Sequence, residues 1–273
     1  MENKSLTFET LLNELKNNNN QITKGSYIFK ELTHKQQRKI LNGNFESVEI
    51  PAKLSNIYSE YIGESIEMDD DMSDITRLIT VDKKPYFINM LRVVTFGDTY
   101  YHKGDAYKLY EVQDSDLICE PKIHTITANK FKINLKLPTI AEEEKYNNLL
   151  IVALAPHKNK SSYDNINIGA VTDLYQNYEL LKYMDSFEFN GEKYRFAQYS
   201  IQERLKFLNH LPQITIEEIK EYIETNVTAH ENIAMSAFKV ETNEKIIAEI
   251  NALFFSSTIR KDASIDNDTD EEN

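Results

Sequence analysis

The spacing of apolar residues changes at Pro138, from strict alternation before it to a helical repeat after it. In "KFKINLKLP", residues 130–138, apolar and polar side chains alternate, which is typical of a strand with one buried face. The apolar face comprises Phe131, Ile133, Leu135 and Leu137, and the polar face Lys130, Lys132, Asn134 and Lys136. Together with the alternating segment "YYHKGDAYKLYEV", this pattern predicts a half-exposed antiparallel sheet.

Beyond Pro138 the apolar residues recur every three or four positions, which predicts helices. Thr215 and Glu218 have the spacing of a capping box, so we expect them to begin the last of these helices. The four helical segments are "TIAEEEKYNNLLIVALA", "IGAVTDLYQNYELLKYM", "SIQERLKFLNHL" and "TIEEIKEYIE". After them, "FKVETNEKII" has two short alternating runs around a polar tip, which predicts a β-hairpin.

The N-terminal region mixes strand and helix signals. "GSYIFKEL" predicts a strand, and "THKQQRKIL" a helix that Thr33 caps. Further helices are predicted in "SNIYSEYI" and in "KKPYFINMLRVVTFGD", the latter ending near Gly97. Between them, "EMDDDMSD" lacks the central glycine and the terminal glutamate of a calcium-binding loop, so we predict no metal there.

These patterns predict an α+β protein. We expect an N-terminal part of strand, helices and antiparallel sheet, and a mainly helical C-terminal part that ends in a β-hairpin and a short helix. The predicted organisation is an amphipathic arm with an Asn-rich joint (1–20), an α+β part (21–138), a helical part with the hairpin (139–256) and a disordered acidic tail (257–273).

Charge and composition exclude several classes of function. The formal net charge is -13, which repels nucleic acid and anionic lipid, and no apolar run approaches the roughly 20 residues that span a bilayer. We therefore predict neither nucleic acid nor membrane as a partner. The single cysteine, Cys119, excludes an internal disulfide and fits a reducing compartment, and the N-terminus has no signal pattern, which together favour a cytosolic protein.

The sequence contains no legible active site. The six histidines are scattered, and the seven glycines form no phosphate-binding loop or dinucleotide fingerprint. We therefore predict no catalytic residue, no cofactor and no metal, and hence no enzyme. A carboxylate pair that only folding brings together is the alternative left open, because sequence spacing does not reveal such pairs.

The order of segments resembles the baseplate hub and tail-assembly proteins of T-even-type contractile-tailed bacteriophages. The stretches that carry this resemblance are "KGSYIFKELTHKQQRKIL", "LPTIAEE", "IQERLKFLNHLPQITIEEIKEYIE" and "AHENIAMSAFKVETNEKIIAEINALFF", within residues 22–256. The resemblance implies a protein without enzymatic activity that is either a hub component or a chaperone for hub or tape-measure protein. It also implies a place in the host cytoplasm during assembly or in the virion baseplate.

The resemblance extends to the C-terminal hairpin but not to its tip. Many proteins of that family carry a Cys-x-x-Cys pair there, whereas this tip reads Glu241-Thr242-Asn243-Glu244. No thiolate is available, so no metal residue is carried over. This hairpin must close by turn geometry and by cross-strand pairs that contribute about 0.2–1 kcal/mol each.

Two apolar segments are predicted to contact partner proteins. The N-terminal arm presents Leu11 and Leu15 at helical spacing. Near the other end, Leu253 precedes two adjacent phenylalanines that cannot both point the same way on a helix, so we expect Phe254 or Phe255 to face a partner. Two rival hypotheses are a small phage hydrolase with a site formed only on folding, and a host-directed regulatory protein.

Overall fold

The computed structural model shows an α+β protein, which confirms the predicted fold class. Within the part of the chain that it describes, the strands form three antiparallel sheets and the helices pack between and around them. The described residues are 20–41, 47–68, 74–120, 122–128, 130–157, 167–250 and 254–255. The predicted arm (except Asn20), the acidic run around residues 69–73 and the predicted tail lie outside them.

The first sheet has the strand order β1-β2-β3, and two helices connect β2 to β3. Its elements are β1 (Gln21–Lys24), β2 (Tyr27–Lys30), α1 (His34–Leu41), α2 (Ile50–Ser65) and β3 (Ile66–Met68). The predicted cap at Thr33 is confirmed. Its hydroxyl accepts from the Gln36 backbone N–H at 3.4 Å, and the Gln36 side-chain oxygen accepts from the Thr33 backbone N–H at 2.7 Å.

Helix α3 (Lys84–Phe96) is buried on almost every side. A helix that is apolar around most of its circumference must lie inside the protein, and the run "PYFINMLRVV" has that composition. The helix ends at Gly97, as predicted, because a φ of 83° there is open to glycine but strained for other residues. Helix α3 therefore forms the centre of the N-terminal region.

The second sheet joins the predicted hairpin to strands far away in the sequence. Its order is β11-β10-β5-β4, so the hairpin adds to the edge of β5 with Ala237 opposite Leu109. The strands are β4 (Thr99–His102), β5 (Asp105–Leu109), β10 (Ser236–Lys239) and β11 (Lys245–Ile247). The hairpin prediction is confirmed, and its tip is a turn in which the Lys239 backbone N–H donates to the Glu244 carbonyl at 2.7 Å.

The hairpin tip depends on Asn243, whose φ of 59° lies in the left-handed region. Asparagine tolerates this conformation, whereas a β-branched residue does not. We expect Asn243→Val to lower the free energy of unfolding by about 1–2 kcal/mol. Asn243→Gly is expected to stay within about 0.5 kcal/mol of the wild type, because glycine adopts positive φ freely. Urea denaturation of both variants tests this, and equal stabilities would contradict it.

The third sheet has the order β6-β7-β8-β9, and three of its strands, β6, β8 and β9, were not predicted from the sequence. Its strands are β6 (Ile123–Ala128), β7 (Phe131–Lys136), β8 (Met184–Phe189) and β9 (Glu192–Arg195). The two alternating segments were expected to share one sheet, and that prediction is wrong. "YYHKGDAYKLYEV" forms the hairpin β4-β5 in the second sheet, while "KFKINLKLP" forms β7 in the third.

The predicted polar face of β7 is not fully exposed. Asn134 is buried between Ile133 and Leu135, and because successive side chains point to opposite faces, the centre of this strand is covered on both sides. Asn134 is satisfied there, since its side-chain oxygen accepts from the Thr125 hydroxyl and its amide donates to the Ser186 hydroxyl. The sheet is therefore more deeply buried than alternation predicted.

The four predicted C-terminal helices are present, but the last one begins earlier than expected. The helices are α4 (Ile140–Leu154), α5 (Ile168–Tyr183), α6 (Ile201–Asn209) and α7 (Gln213–Ile223), followed by the short α8 (Ala229–Ala234). The predicted capping box of Thr215 and Glu218 is wrong. The N-cap residue of α7 is Pro212, and Thr215 is buried inside the first turn, where its backbone N–H donates to the Pro212 carbonyl.

The buried apolar side chains form two main cores that do not follow the order of the sequence. The first core combines buried side chains from between residues 27 and 117 with Ile140 and with six from between residues 234 and 255. The second combines Val81 with thirteen buried side chains from between residues 126 and 222. Strands β7 and β8 pair across the division expected between residues 138 and 139. That position therefore does not separate two sheets, and the hairpin belongs with the N-terminal region.

Candidate functional site

Both phenylalanines of the predicted docking segment are buried, which corrects the expectation that one of them faces a partner. Phe254 is 1% exposed and Phe255 is 4% exposed. The ring of Phe255 lies 5.7 Å from that of Tyr58 and 5.8 Å from that of Tyr61, both on α2. The two rings contact each other edge-on, with centroids 5.3 Å apart, and both belong to the first core. Leu11, Leu15 and Leu253 lie outside the described residues.

A cluster of four charged residues, three of them largely buried and the fourth (Glu179) only half-buried, joins helices α3, α4 and α5. Lys84 Nζ donates to Glu143 Oε2 at 2.6 Å, and Lys182 Nζ lies 3.4 Å from Glu143 Oε1 and 2.6 Å from Glu179 Oε2. The side chains of Lys84 and Lys182 are 8% exposed and that of Glu143 is 12% exposed. Two positive and two negative charges meet, so the cluster is neutral overall.

The pKa values of Glu143 and Lys182 keep these two groups charged. Burial alone would raise the pKa of Glu143, but Lys84 and Lys182 lower it to about 2. Burial would lower the pKa of Lys182, but Glu179 and Glu143 raise it above its ordinary value. Both oxygens of Glu143 are occupied by lysines. Glu143 and Lys182 are therefore engaged in a structural ion network. Glu231 of the short helix α8 lies near it, and its pKa is raised, chiefly by burial and also by Glu143 and Glu179.

Tyr86 and His230 form a hydrogen-bonded pair between α3 and α8. The Tyr86 hydroxyl lies 3.1 Å from His230 Nδ1, and chiefly because of burial the pKa of His230 is lowered and that of Tyr86 is raised. Both groups are therefore neutral at neutral pH.

Over the described ranges, no group of three or more His, Cys, Asp and Glu side chains is arranged to hold a metal ion. No helix within these ranges is long and apolar enough to cross a bilayer.

An open groove of about 810 Å³ runs between strand β6 and helix α7. The strand side is formed by residues 122–127, and the helix side by Glu218, Glu221, Tyr222, Thr225 and Asn226. Successive side chains of a strand point to opposite faces, so a groove that touches five consecutive residues of β6 follows the edge of the sheet. This groove is the candidate functional site.

Local packing holds the helix wall of the groove in place. The ring of His124 on β6 stacks on that of Tyr222 on α7, with centroids 5.5 Å apart and planes inclined by 17°. After α7 the chain widens into a π-helical turn, Glu224–Thr228, in which the Asn226 side-chain amide donates to the Tyr222 carbonyl at 2.8 Å. Turns of this kind occur frequently at functional sites.

A second concave region of about 590 Å³ lies between α2 and α4. Its two lysines are already engaged, because Lys39 pairs with Glu60 and Lys53 pairs with Glu49. Its two central asparagines, Asn56 and Asn148, also bind each other. Because these side chains already form ion pairs and hydrogen bonds with neighbours, fewer polar groups are available to a partner here than in the groove beside β6.

Two features of the groove, the strand composition of β6 and the acidic residues of α7, can be read from the sequence. The run "IHTITA" is rich in β-branched residues, which favour a strand, although the sequence analysis did not predict one there. The acidic residues of α7 can also be read from the sequence. Their position beside β6 cannot, because α7 follows β6 only after some ninety residues that fold in between.

Comparisons of this chain with protein-family models, curated proteins and solved structures found no match.

Proposed function

We propose that this protein works by binding other proteins, as a component of the baseplate hub of a contractile-tailed phage or as a chaperone that holds hub or tape-measure protein before assembly. The observation that carries the binding role is the open groove between β6 and α7, which combines an edge strand with a helix wall. The tail assignment rests on the resemblance of the sequence segments to that family.

The arrangement of charged residues favours binding over catalysis. An enzyme needs at least two convergent groups that are free to exchange protons with a substrate. Glu143, whose pKa is lowered to about 2, has both oxygens held by buried lysines. In the groove itself, Glu218 and Glu221 sit on an exposed helix wall, where carboxylates suit recognition of a charged partner.

Affinity purification from infected cells tests the tail assignment. We expect the tagged full-length protein to recover hub or tape-measure proteins, identified by mass spectrometry. An unrelated tagged acidic protein of similar size, expressed in the same way, is the control for nonspecific capture. Recovery of no tail protein above that control would contradict the assignment.

Mass spectrometry of purified virions then separates the two proposed roles. A hub component is expected in the particle in a fixed ratio to other tail proteins, whereas a chaperone is expected in the infected-cell lysate but not in the particle. Recovery of host proteins alone in the purification would favour a host-directed regulator instead.

A further inference from the structure

We propose that the groove receives an extended segment of a partner protein, which adds as a fifth strand beside β6 and places a Lys or Arg side chain against Glu218 and Glu221. The inference rests on the proposed function, because it specifies how the protein-binding role is carried out. Four features of the described residues support it.

The first feature is the free edge of β6. Within the part of the chain that the structure describes, the strand pairs with β7 on one side only. In an antiparallel pair every second residue directs its backbone N–H and C=O away from the partner. Among the described residues, the backbone of residues 123–128 makes no hydrogen bond outside its pairing with β7. These groups are available to another strand.

The second feature is the contrast between β6 and the other edge strands. Sheet edges are normally protected by short length, charged residues or proline. The edge strands β1, β3, β4, β9 and β11 are three or four residues long. Strand β6 has six residues, "IHTITA", with no lysine, acid or proline, so it is the least protected edge in the described sheets.

The third feature is the exposure of Ile123 at the start of β6. Its side chain is 69% exposed, next to the groove. An apolar side chain on an added strand would lie across from it and remove both from water. Strand addition uses backbone hydrogen bonds for affinity and such side-chain contacts for specificity.

The fourth feature is the charge of the helix wall. Glu218 and Glu221 are one turn apart on α7, both exposed, and neither has an ion-pair partner among the described residues. They select a basic partner by charge complementarity. The same charges disfavour the chain's own acidic residues 262–273 as the occupant.

Binding of two probe peptides tests the proposal directly. Each has nine residues of alternating threonine and valine, with two positions replaced by lysine in one and by glutamate in the other, and a fluorescein label for anisotropy. We expect the lysine peptide to bind the full-length protein about tenfold more tightly, since two ion pairs at an exposed site contribute this much. Hydrogen exchange at residues 123–128 should slow when it binds.

Three variants locate the binding. Glu218→Lys combined with Glu221→Lys should reverse the preference between the peptides, and Ile123→Lys should weaken both about tenfold by blocking the edge. Glu241→Lys combined with Glu244→Lys is the matched control, because it reverses two exposed acids at the same spacing on the hairpin tip and should change nothing.

Several outcomes would overturn the proposal. They are equal binding of the two peptides, no binding at millimolar concentration, or binding without slower exchange in β6. Tighter binding after deletion of residues 1–19 would mean that the chain's own N-terminus occupies the groove. None of these results affects the affinity purification, so the groove assignment and the tail assignment can fail separately.

Discussion

Replacing Glu143 with glutamine is expected to lower the free energy of unfolding by about 3–5 kcal/mol. The substitution keeps the size of the side chain but removes the negative charge that Lys84 and Lys182 share. Both lysines are almost fully buried, and an uncompensated charge in such a place is costly. Chemical denaturation of the wild type and the variant measures the difference.

Glu144→Gln is the control for this prediction. Glu144 is the next residue on α4 but is exposed, so its loss should change the stability by no more than about 0.5 kcal/mol. If Glu143→Gln were equally mild, the ion network would have no role in stability.

The pH dependence gives the Glu143 prediction a second readout. The folded protein holds the pKa of Glu143 at about 2, below the 4.5 of a free glutamate. The carboxylate therefore stabilises the fold above pH 4.5, and this contribution is lost as the pH falls through 4.5 towards 2. Glu143→Gln should remove that part of the acid sensitivity, so the stability curves of the two proteins should converge at low pH.

Replacing Phe255 with alanine is expected to cost about 3–5 kcal/mol. The ring is 4% exposed and packs between Tyr58 and Tyr61 of α2, while its neighbour Phe254 lies beside Tyr100 of β4. Truncation would leave a cavity in the first core, and an aromatic cluster cannot collapse fully to fill it.

Val240→Ala is the control for Phe255→Ala. Val240 lies in the same C-terminal region but is 67% exposed at the hairpin tip, so its truncation should cost no more than about 0.5 kcal/mol. A similarly small effect for Phe255 would mean that this segment does not contribute to the core. In that case Phe255 would again be a candidate for contact with a partner protein.

The agreement between sequence and structure follows the range of the interactions involved. Helices α3 and α4, the cap at Thr33 and the C-terminal hairpin were predicted because their signals lie within a few residues of one another. Strands β8 and β9 are the exception. They were not predicted, although "FEFNGEKYRF" carries a local hairpin signal, an Asn-Gly turn with positive φ at both residues between two alternating runs.

The candidate site also depends on contacts between distant residues, which local sequence patterns do not predict. Phe254 or Phe255 was expected to face a partner because two adjacent residues of a helix cannot point the same way. Phe254 and Phe255 are instead buried, because the C-terminal segment folds back onto α2 and β4. The groove combines β6 with α7, two elements that no local pattern connects.

The sequence by itself determined the α+β class, the positions of the main helices, the hairpin, whose tip contains no cysteine, and the acidic charge. Apolar periodicity and helix caps depend on residues a few positions apart, and composition is a property of the whole chain. All three can therefore be read without the tertiary structure. Only the tertiary structure decided which strands share a sheet, which charges meet at Glu143 and which edge stays open. Those outcomes depend on contacts between distant residues, whose free energy arises only when the chain has folded.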